Sequence, residues 1–150
     1  MFLGEFAMAA GAVRISAEMQ QHLFAQAKAA RARAYCPYSG YAVGAAILSV
    51  EGGVFHGCNV ENAAYASVVH AEVGAISAMI AAGDRHIAAL AVIGNGDTLV
   101  TPCGACRQVI FEFANSPDMP IYMCDSAGIA ESVTLATLLP YAFGPRHLID

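Results

Sequence analysis

Residues 87–124 read IAALAVIGNGDTLVTPCGACRQVIFEFANSPDMPIYMC. The opening seven, 87–93, are continuously apolar and short, the pattern of a strand buried on both faces. Pro102 stands where a first helical turn tolerates proline, and a helix is predicted from Cys103 to about Ala114. Residues 120–124 read as a second strand. A strand, a helix and a strand in this order form a crossover unit, which places the chain among α/β folds.

Working outward, Ser16 caps a helix expected to run to about Tyr35, with Met19, Leu23, Ala27, Ala30 and Ala34 along one face. Pro37 and Gly40 end it. Residues 41–50 and 54–58 read as strands joined by a short turn at 51–53, a hairpin. Residues 59–66 look irregular, and 67–82 carry a helical pattern that stops at Gly83. Beyond the opening unit, 129–133 reads as a further strand and 135–139 as a short helix before Pro140. The expectation is a mixed sheet, hairpin first and crossovers after. Residues 1–15 are expected to form an N-terminal arm, and 16–150 a single domain.

The composition sets limits on function. Apolar residues make up 57% of the 150 and charged ones only 13%, with mean hydropathy +0.53. That is too apolar for a disordered chain. The longest uncharged stretch, 34–50, holds Pro37, Gly40 and Gly44, whereas a spanning helix wants about 20 continuous apolar residues. The apolar surplus points to subunit interfaces, hence a homo-oligomer. Net charge is −5, and the seven cations are scattered, with only Arg31 and Arg33 near one another. Long nucleic acids want a basic stripe, so a small, weakly charged substrate is the expected partner, with neither polynucleotide nor membrane. The N-terminus has Glu5 inside its apolar run and no basic residue ahead of it, a poor signal peptide. Five cysteines, an odd number, do not suggest a disulfide framework. The expected compartment is the reducing cytoplasm.

Two segments carry chemistry: His70-Ala71-Glu72 and Pro102-Cys103-Gly104-Ala105-Cys106. Each opens a predicted helix. The C-x2-C spacing lets Cys103 and Cys106 bind one metal ion from a single turn, and a helix N-terminus favours the thiolates this requires. His70 supplies a third ligand. Three protein ligands leave one tetrahedral position for water, the arrangement of a catalytic zinc site. Glu72, two residues from His70, is placed to move that water's proton. The H-x-E with P-C-x-x-C pattern is the known signature of zinc deaminases. The bland alternatives are a redox pair or a structural site, which needs a fourth ligand from Cys58 or His56.

With these motifs, the chain resembles the small, single-domain, homotetrameric, zinc-dependent cytidine deaminases. The likeness extends from about residue 17 to 148. It includes Cys36-Pro37-Tyr38-Ser39, Tyr41-Ala42-Val43-Gly44-Ala45-Ala46, Gly57-Cys58-Asn59-Val60-Glu61-Asn62, Cys106-Arg107-Gln108, Leu138-Leu139-Pro140 and Ala142-Phe143-Gly144-Pro145. The resemblance implies a three-layer α/β/α fold around a mixed five-stranded sheet. It also implies Zn²⁺ held by His70, Cys103 and Cys106, with Glu72 as the proton shuttle. The implied reaction is hydrolytic deamination of cytidine or 2′-deoxycytidine, a step of pyrimidine salvage, by water activated on zinc. Asn59 and Glu61 match the pair that bonds the ribose 3′-hydroxyl, and Tyr41 an aromatic that packs by the pyrimidine. Backbone groups of Ala71 and Thr101 match those that read the amine edge. Tyr65 and Phe143 match contacts made across subunits, so neighbouring subunits are expected to complete each site. Read without the resemblance, Tyr41, Tyr65 and Phe143 are core or interface aromatics, and 59–62 is a turn.

One departure stands out. Small tetrameric members usually carry Cys-Ala-Glu-Arg where this chain has His70-Ala71-Glu72-Val73. Three thiolates leave a zinc shell at net −1, which an adjacent arginine offsets; two thiolates and a neutral imidazole leave it at zero, so the arginine is not needed. Two other readings stay open: a deaminase of a modified cytosine nucleoside of the blasticidin S kind, and a catalytically silent zinc-binding homologue.

Overall fold

The computed structural model describes residues 14–148. Residues 1–13 of the expected arm lie outside the described residues; Ile15 packs against the core. The elements in chain order are α1 (Ala17–Arg31), β1 (Gly44–Ser49), β2 (Val54–Cys58), α2 (Ala71–Ala82), β3 (Ile87–Ile93), α3 (Gly104–Phe113), β4 (Pro120–Cys124), β5 (Ile129–Thr134) and α4 (Leu135–Leu138). They build one five-stranded sheet in the order β2-β1-β3-β4-β5. β3 and β4 are parallel, joined by α3, and every other pairing is antiparallel. This is the expected mixed sheet.

Alternation along the strands splits the core into two layers. Ala46 and Leu48 of β1, Ala89, Ala91 and Ile93 of β3, and Tyr122 and Cys124 of β4 pack with Leu23 and Ala27 of α1. Ile47, Leu90, Val92, Ile121 and Met123 face the other way, onto Ala75, Ile76 and Met79 of α2 and Cys106 and Ile110 of α3. Helices on both faces explain why β3 is apolar at every position. On the α1 side the sheet offers small residues, and the helix comes close. A Cβ on Gly44 would fall 2.0 Å from the Ala27 carbonyl oxygen.

Three boundaries differ from expectation, each because a long-range partner replaces a local one. α1 stops at Arg31, not Tyr35, since Tyr35 pairs instead with residues 59–61: its N–H donates to Asn59 O at 3.0 Å and its carbonyl accepts from Glu61 N–H at 2.8 Å. β1 starts at Gly44 rather than 41, because the N–H groups of Ala42 and Val43 donate to the side chains of Asn95 and Asn59, not to a strand. α2 starts at Ala71 rather than 67. Residues Tyr65–Ser67 form a 3₁₀ turn, and Val69 then exchanges two backbone hydrogen bonds with Val60, at 2.9 and 3.0 Å, which holds the chain extended up to His70. That late start makes His70 the cap of the helix rather than a residue of its first turn.

Candidate active site

The N-termini of α2 and α3 converge. His70 is the N-cap of α2 and Cys103 the N-cap of α3; neither side chain caps its own helix. Both turn toward the space between the two helix ends. His70 Nδ1 lies 3.2 Å from Cys106 Sγ and 3.3 Å from Cys103 Sγ. The three ligand atoms all fall within 4.8 Å of one another, and among the described residues this is the group of metal-ligating side chains so arranged. Cys58 and His56 are not part of it, so the structural-site alternative finds no fourth ligand there.

The donor set fits Zn²⁺. Bond lengths of about 2.3 Å to sulfur and 2.0–2.1 Å to nitrogen make a tetrahedral N···S edge of about 3.6 Å. The observed separations need to open by only a few tenths of an ångström. Burial, and then the neighbouring Glu72 carboxylate, push the Cys106 thiol far above its ordinary pKa. A thiolate at this buried place therefore needs a cation beside it, and two facing helix N-termini add their partial positive charge.

Glu72 is buried, 5% exposed, and its Oε2 lies 3.2 Å from Cys106 Sγ. It lines a pocket of about 540 Å³ together with Ser39, Tyr41, Asn59, Glu61, His70, Ala71, Thr101 and Cys103. Thus seven of the residues singled out from sequence, from Tyr41 through Asn59, Glu61, Ala71, Glu72 and Thr101 to His70, meet in one cavity with Cys103.

A family model described as the cytidine and deoxycytidylate deaminase zinc-binding region matches residues 17–123. The chain belongs to this deaminase family. A cytidine deaminase of Sporosarcina psychrophila is 46% identical over 128 residues, covering 85% of this chain and 93% of the relative. The crystal structure of cytidine deaminase from Burkholderia pseudomallei is similar at TM-score 0.77 and 42% identity, covering 86% of this chain and all of that one. That from Mycobacterium tuberculosis gives TM-score 0.73 and 36% identity over 87% of this chain and 99% of that one. Zinc is accordingly the metal of this family, and the His70, Cys103 and Cys106 cluster is the group among the described residues that could hold it.

Asn59 and Glu61 have work to do within the deaminase chain itself. Asn59 Oδ1 accepts from Val43 N–H at 2.8 Å and its Nδ2 donates to Tyr41 O at 2.9 Å. Glu61 accepts from Tyr38 N–H at 2.8 Å, from Ser39 N–H at 3.2 Å and from the Ser39 hydroxyl. The Ser39 hydroxyl foremost, with the two backbone donors, holds the Glu61 carboxyl below its usual range despite some opposing desolvation, so it is ionised at neutral pH. Both side chains therefore fasten residues 38–43 as well as facing the pocket. Tyr65 and Phe143 stand outside the pocket, 76% and 56% exposed. Tyr65 meets Tyr38 edge-on at 6.2 Å, and Phe143 stacks on His147 at 4.9 Å.

Arg107 has a larger part than its place in a motif suggested. Its guanidinium donates to Pro102 O at 2.7 Å, Leu138 O at 2.9 Å and Thr101 Oγ1 at 3.1 Å, bracing the loop that carries Cys103. Gln108 beside it donates to Phe143 O at 2.9 Å. A signal for Arg107 was available: a cation in the first turns of a helix runs against the helix dipole, and such a residue needs another reason to be there.

Proposed function

We propose that this chain is a zinc-dependent cytidine deaminase, converting cytidine or 2′-deoxycytidine to the uridine nucleoside and ammonia, with residues 16–150 as its one catalytic domain. The observation that carries the reading is the buried Glu72 carboxylate lining one pocket with His70 and Cys103, and touching Cys106, the third member of their cluster. A silent homologue has no use for a carboxylate buried beside an open coordination position.

Zinc, when bound, would supply the Lewis acidity that lowers a water's pKa toward neutrality. Glu72 takes one proton of the attacking water on its carboxylate and delivers it to N3 of the ring so that C4 becomes electrophilic. It then takes the proton of the new C4 hydroxyl and passes it to the amine, which leaves as ammonia while the C4 carbonyl forms. Backbone groups of Ala71 and Thr101 face the amine edge, and the Tyr41 ring packs by the pyrimidine. The sugar is read by what Asn59 and Glu61 have left over. An amide nitrogen has two N–H groups and a carboxylate about four acceptor positions. After the bonds to residues 38–43, one N–H of Asn59 and one acceptor position of Glu61 remain, a donor and an acceptor for a single hydroxyl such as the ribose 3′-hydroxyl. This favours an ordinary nucleoside over a modified one. The direct test is ultraviolet absorbance: zinc-loaded protein given cytidine should bleach it, and absence of bleaching with zinc confirmed bound would remove the reading.

The ligand charge balance makes a second prediction. Two thiolates and a neutral His70 cancel the dication without an arginine, and Val73 instead packs against the core. His70→Cys raises the negative charge with nothing to offset it, and kcat should fall about tenfold while zinc stays bound, the lower end of the roughly 10–100-fold that losing the groups which tune a metal's ligands costs. An unchanged kcat at full zinc content would overturn the charge argument.

We further read the protein as a homotetramer whose sites are completed by neighbours. Exposed Tyr35, Tyr38, Tyr65, Tyr141 and Phe143 supply apolar surface that a subunit interface would cover. Light scattering during size exclusion should give four times the 15.6 kDa chain mass; a monomer would refute it. No helix among the described residues is long and apolar enough to cross a membrane. Cys103 and Cys106 must stay reduced to ligate zinc, which suits the cytoplasm.

A further inference from the structure

The loop from β3 to α3 carries Thr101 and Cys103 at its far end, but its first two residues touch the opposite wall of the pocket. Asn95 Nδ2 donates to Gly40 O at 2.9 Å, and Asn95 Oδ1 accepts from Ala42 N–H at 3.2 Å. One side chain thus grips the backbone on both sides of Tyr41. Gly40 has φ +66°, a left-handed turn that glycine adopts without strain just ahead of the tyrosine. Gly94 supplies the space for the ring. A Cβ there would lie 2.5 Å from the Tyr41 hydroxyl and 2.3 Å from Val100 Cγ2. The Gly94 carbonyl is in turn held by the Arg31 guanidinium at 2.5 Å, which ties this platform to α1.

Asn95 itself does not line the pocket. We infer that Asn95 is a positioning residue for the substrate: by bracketing Tyr41 through Gly40 and Ala42, it fixes where the tyrosine ring meets the pyrimidine. Its amide is suited to this because it offers a donor and an acceptor side by side. Aspartate would keep the acceptor for Ala42 N–H and set a carboxylate oxygen against the Gly40 carbonyl. The same wall is also held by Asn59 on Tyr41 O and Val43 N–H, and by Ser39 Oγ on Tyr41 N–H at 3.0 Å. Loss of Asn95 therefore loosens residues 40–42 without unfolding them. The effect falls on binding, not on proton transfer at Glu72.

This inference rests on the reading that Tyr41 packs by the base, so its test has two arms. In hydrogen–deuterium exchange, Asn95→Ala should speed exchange across residues 38–43 about tenfold while the peptides of β1 and α2 keep their protection, tenfold being the loss of about 1.4 kcal/mol of local hydrogen bonding. In steady-state kinetics with cytidine, KM should rise about tenfold with kcat within about twofold, and Asn95→Asp should fall between. In a Tyr41→Ala background the added cost of Asn95→Ala should shrink below about twofold, since both changes remove one interaction. Unchanged exchange at residues 38–43, or a full tenfold penalty persisting without Tyr41, overturns the inference. Wild-type protein inert toward cytidine would instead strike the parent reading, and the exchange arm would still decide whether Asn95 holds the loop.

Discussion

Glu72→Gln should bind one zinc per chain, keep the wild-type melting temperature or exceed it, and lose about 10⁴-fold in turnover of cytidine. Glutamine keeps the size and hydrogen-bonding reach of Glu72 but cannot carry a proton between water, N3 and the leaving amine. General acid–base catalysis by one positioned group is worth about 10²–10⁴-fold, and the proposed mechanism uses Glu72 at every proton transfer, which sets the expectation at the upper end. Stability should move the other way. Glu72 is 5% exposed and lies 3.2 Å from the Cys106 sulfur, so in the zinc-loaded site two anionic groups sit together, and a neutral amide relieves that repulsion. Glu72→Ala serves as the companion variant, with the same loss of turnover and the same zinc content. Metal analysis, thermal melting and the absorbance assay on one preparation check all three statements. Turnover within tenfold of wild type in the glutamine variant would remove Glu72 from proton transfer. Zinc lost together with activity would make it a structural support for the ligands.

The clustering of His70, Glu72, Cys103 and Cys106 was legible because its geometry is local. His70 and Glu72 are two positions apart and Cys103 and Cys106 three, each pair within one helical opening, and spacing along a chain translates directly into position on a helix end. The strands and the two-faced burial of β3 were legible for a similar reason, since period and apolar run length are properties of neighbours in sequence. What sequence did not show was where distant segments borrow each other's hydrogen bonds. Tyr35 was drawn out of α1 by residues 59–61, and residues 41–43 were kept out of β1 by Asn59 and Asn95. Asn95 within Gly94-Asn95-Gly96 reads as an ordinary turn, and nothing in its spacing announces a partner more than fifty positions away. Asn59 and Glu61 were legible through resemblance alone. Their second role, fastening residues 38–43, follows from the fold.

The two glycines that face each other across the β2–α2 contact should respond to the same substitution with opposite signs. Gly57 of β2 is backed directly onto α2. A Cβ there would lie 2.4 Å from Ala75 N, 2.5 Å from Ala71 O and 2.8 Å from Gly74 C, all backbone atoms with no side chain free to swing away. Gly57→Ala must push β2 and α2 apart, and overpacking of this kind costs about 1–3 kcal/mol. The displaced part of α2 is its first turn, which carries His70, Ala71 and Glu72, so turnover and zinc affinity should fall along with stability. At Gly74, a Cβ meets nothing nearer than Gly57 Cα at 3.6 Å and Cys58 O at 3.7 Å, ordinary contact. Alanine in a helix interior is favoured over glycine by about 0.8–1.0 kcal/mol, so Gly74→Ala should stabilise by up to that amount with activity retained. Denaturant melts of both variants, with kcat and zinc content, test the pair. A tolerated Gly57→Ala would show that α2 shifts freely on β2, and the argument that this close contact positions Glu72 would fall with it.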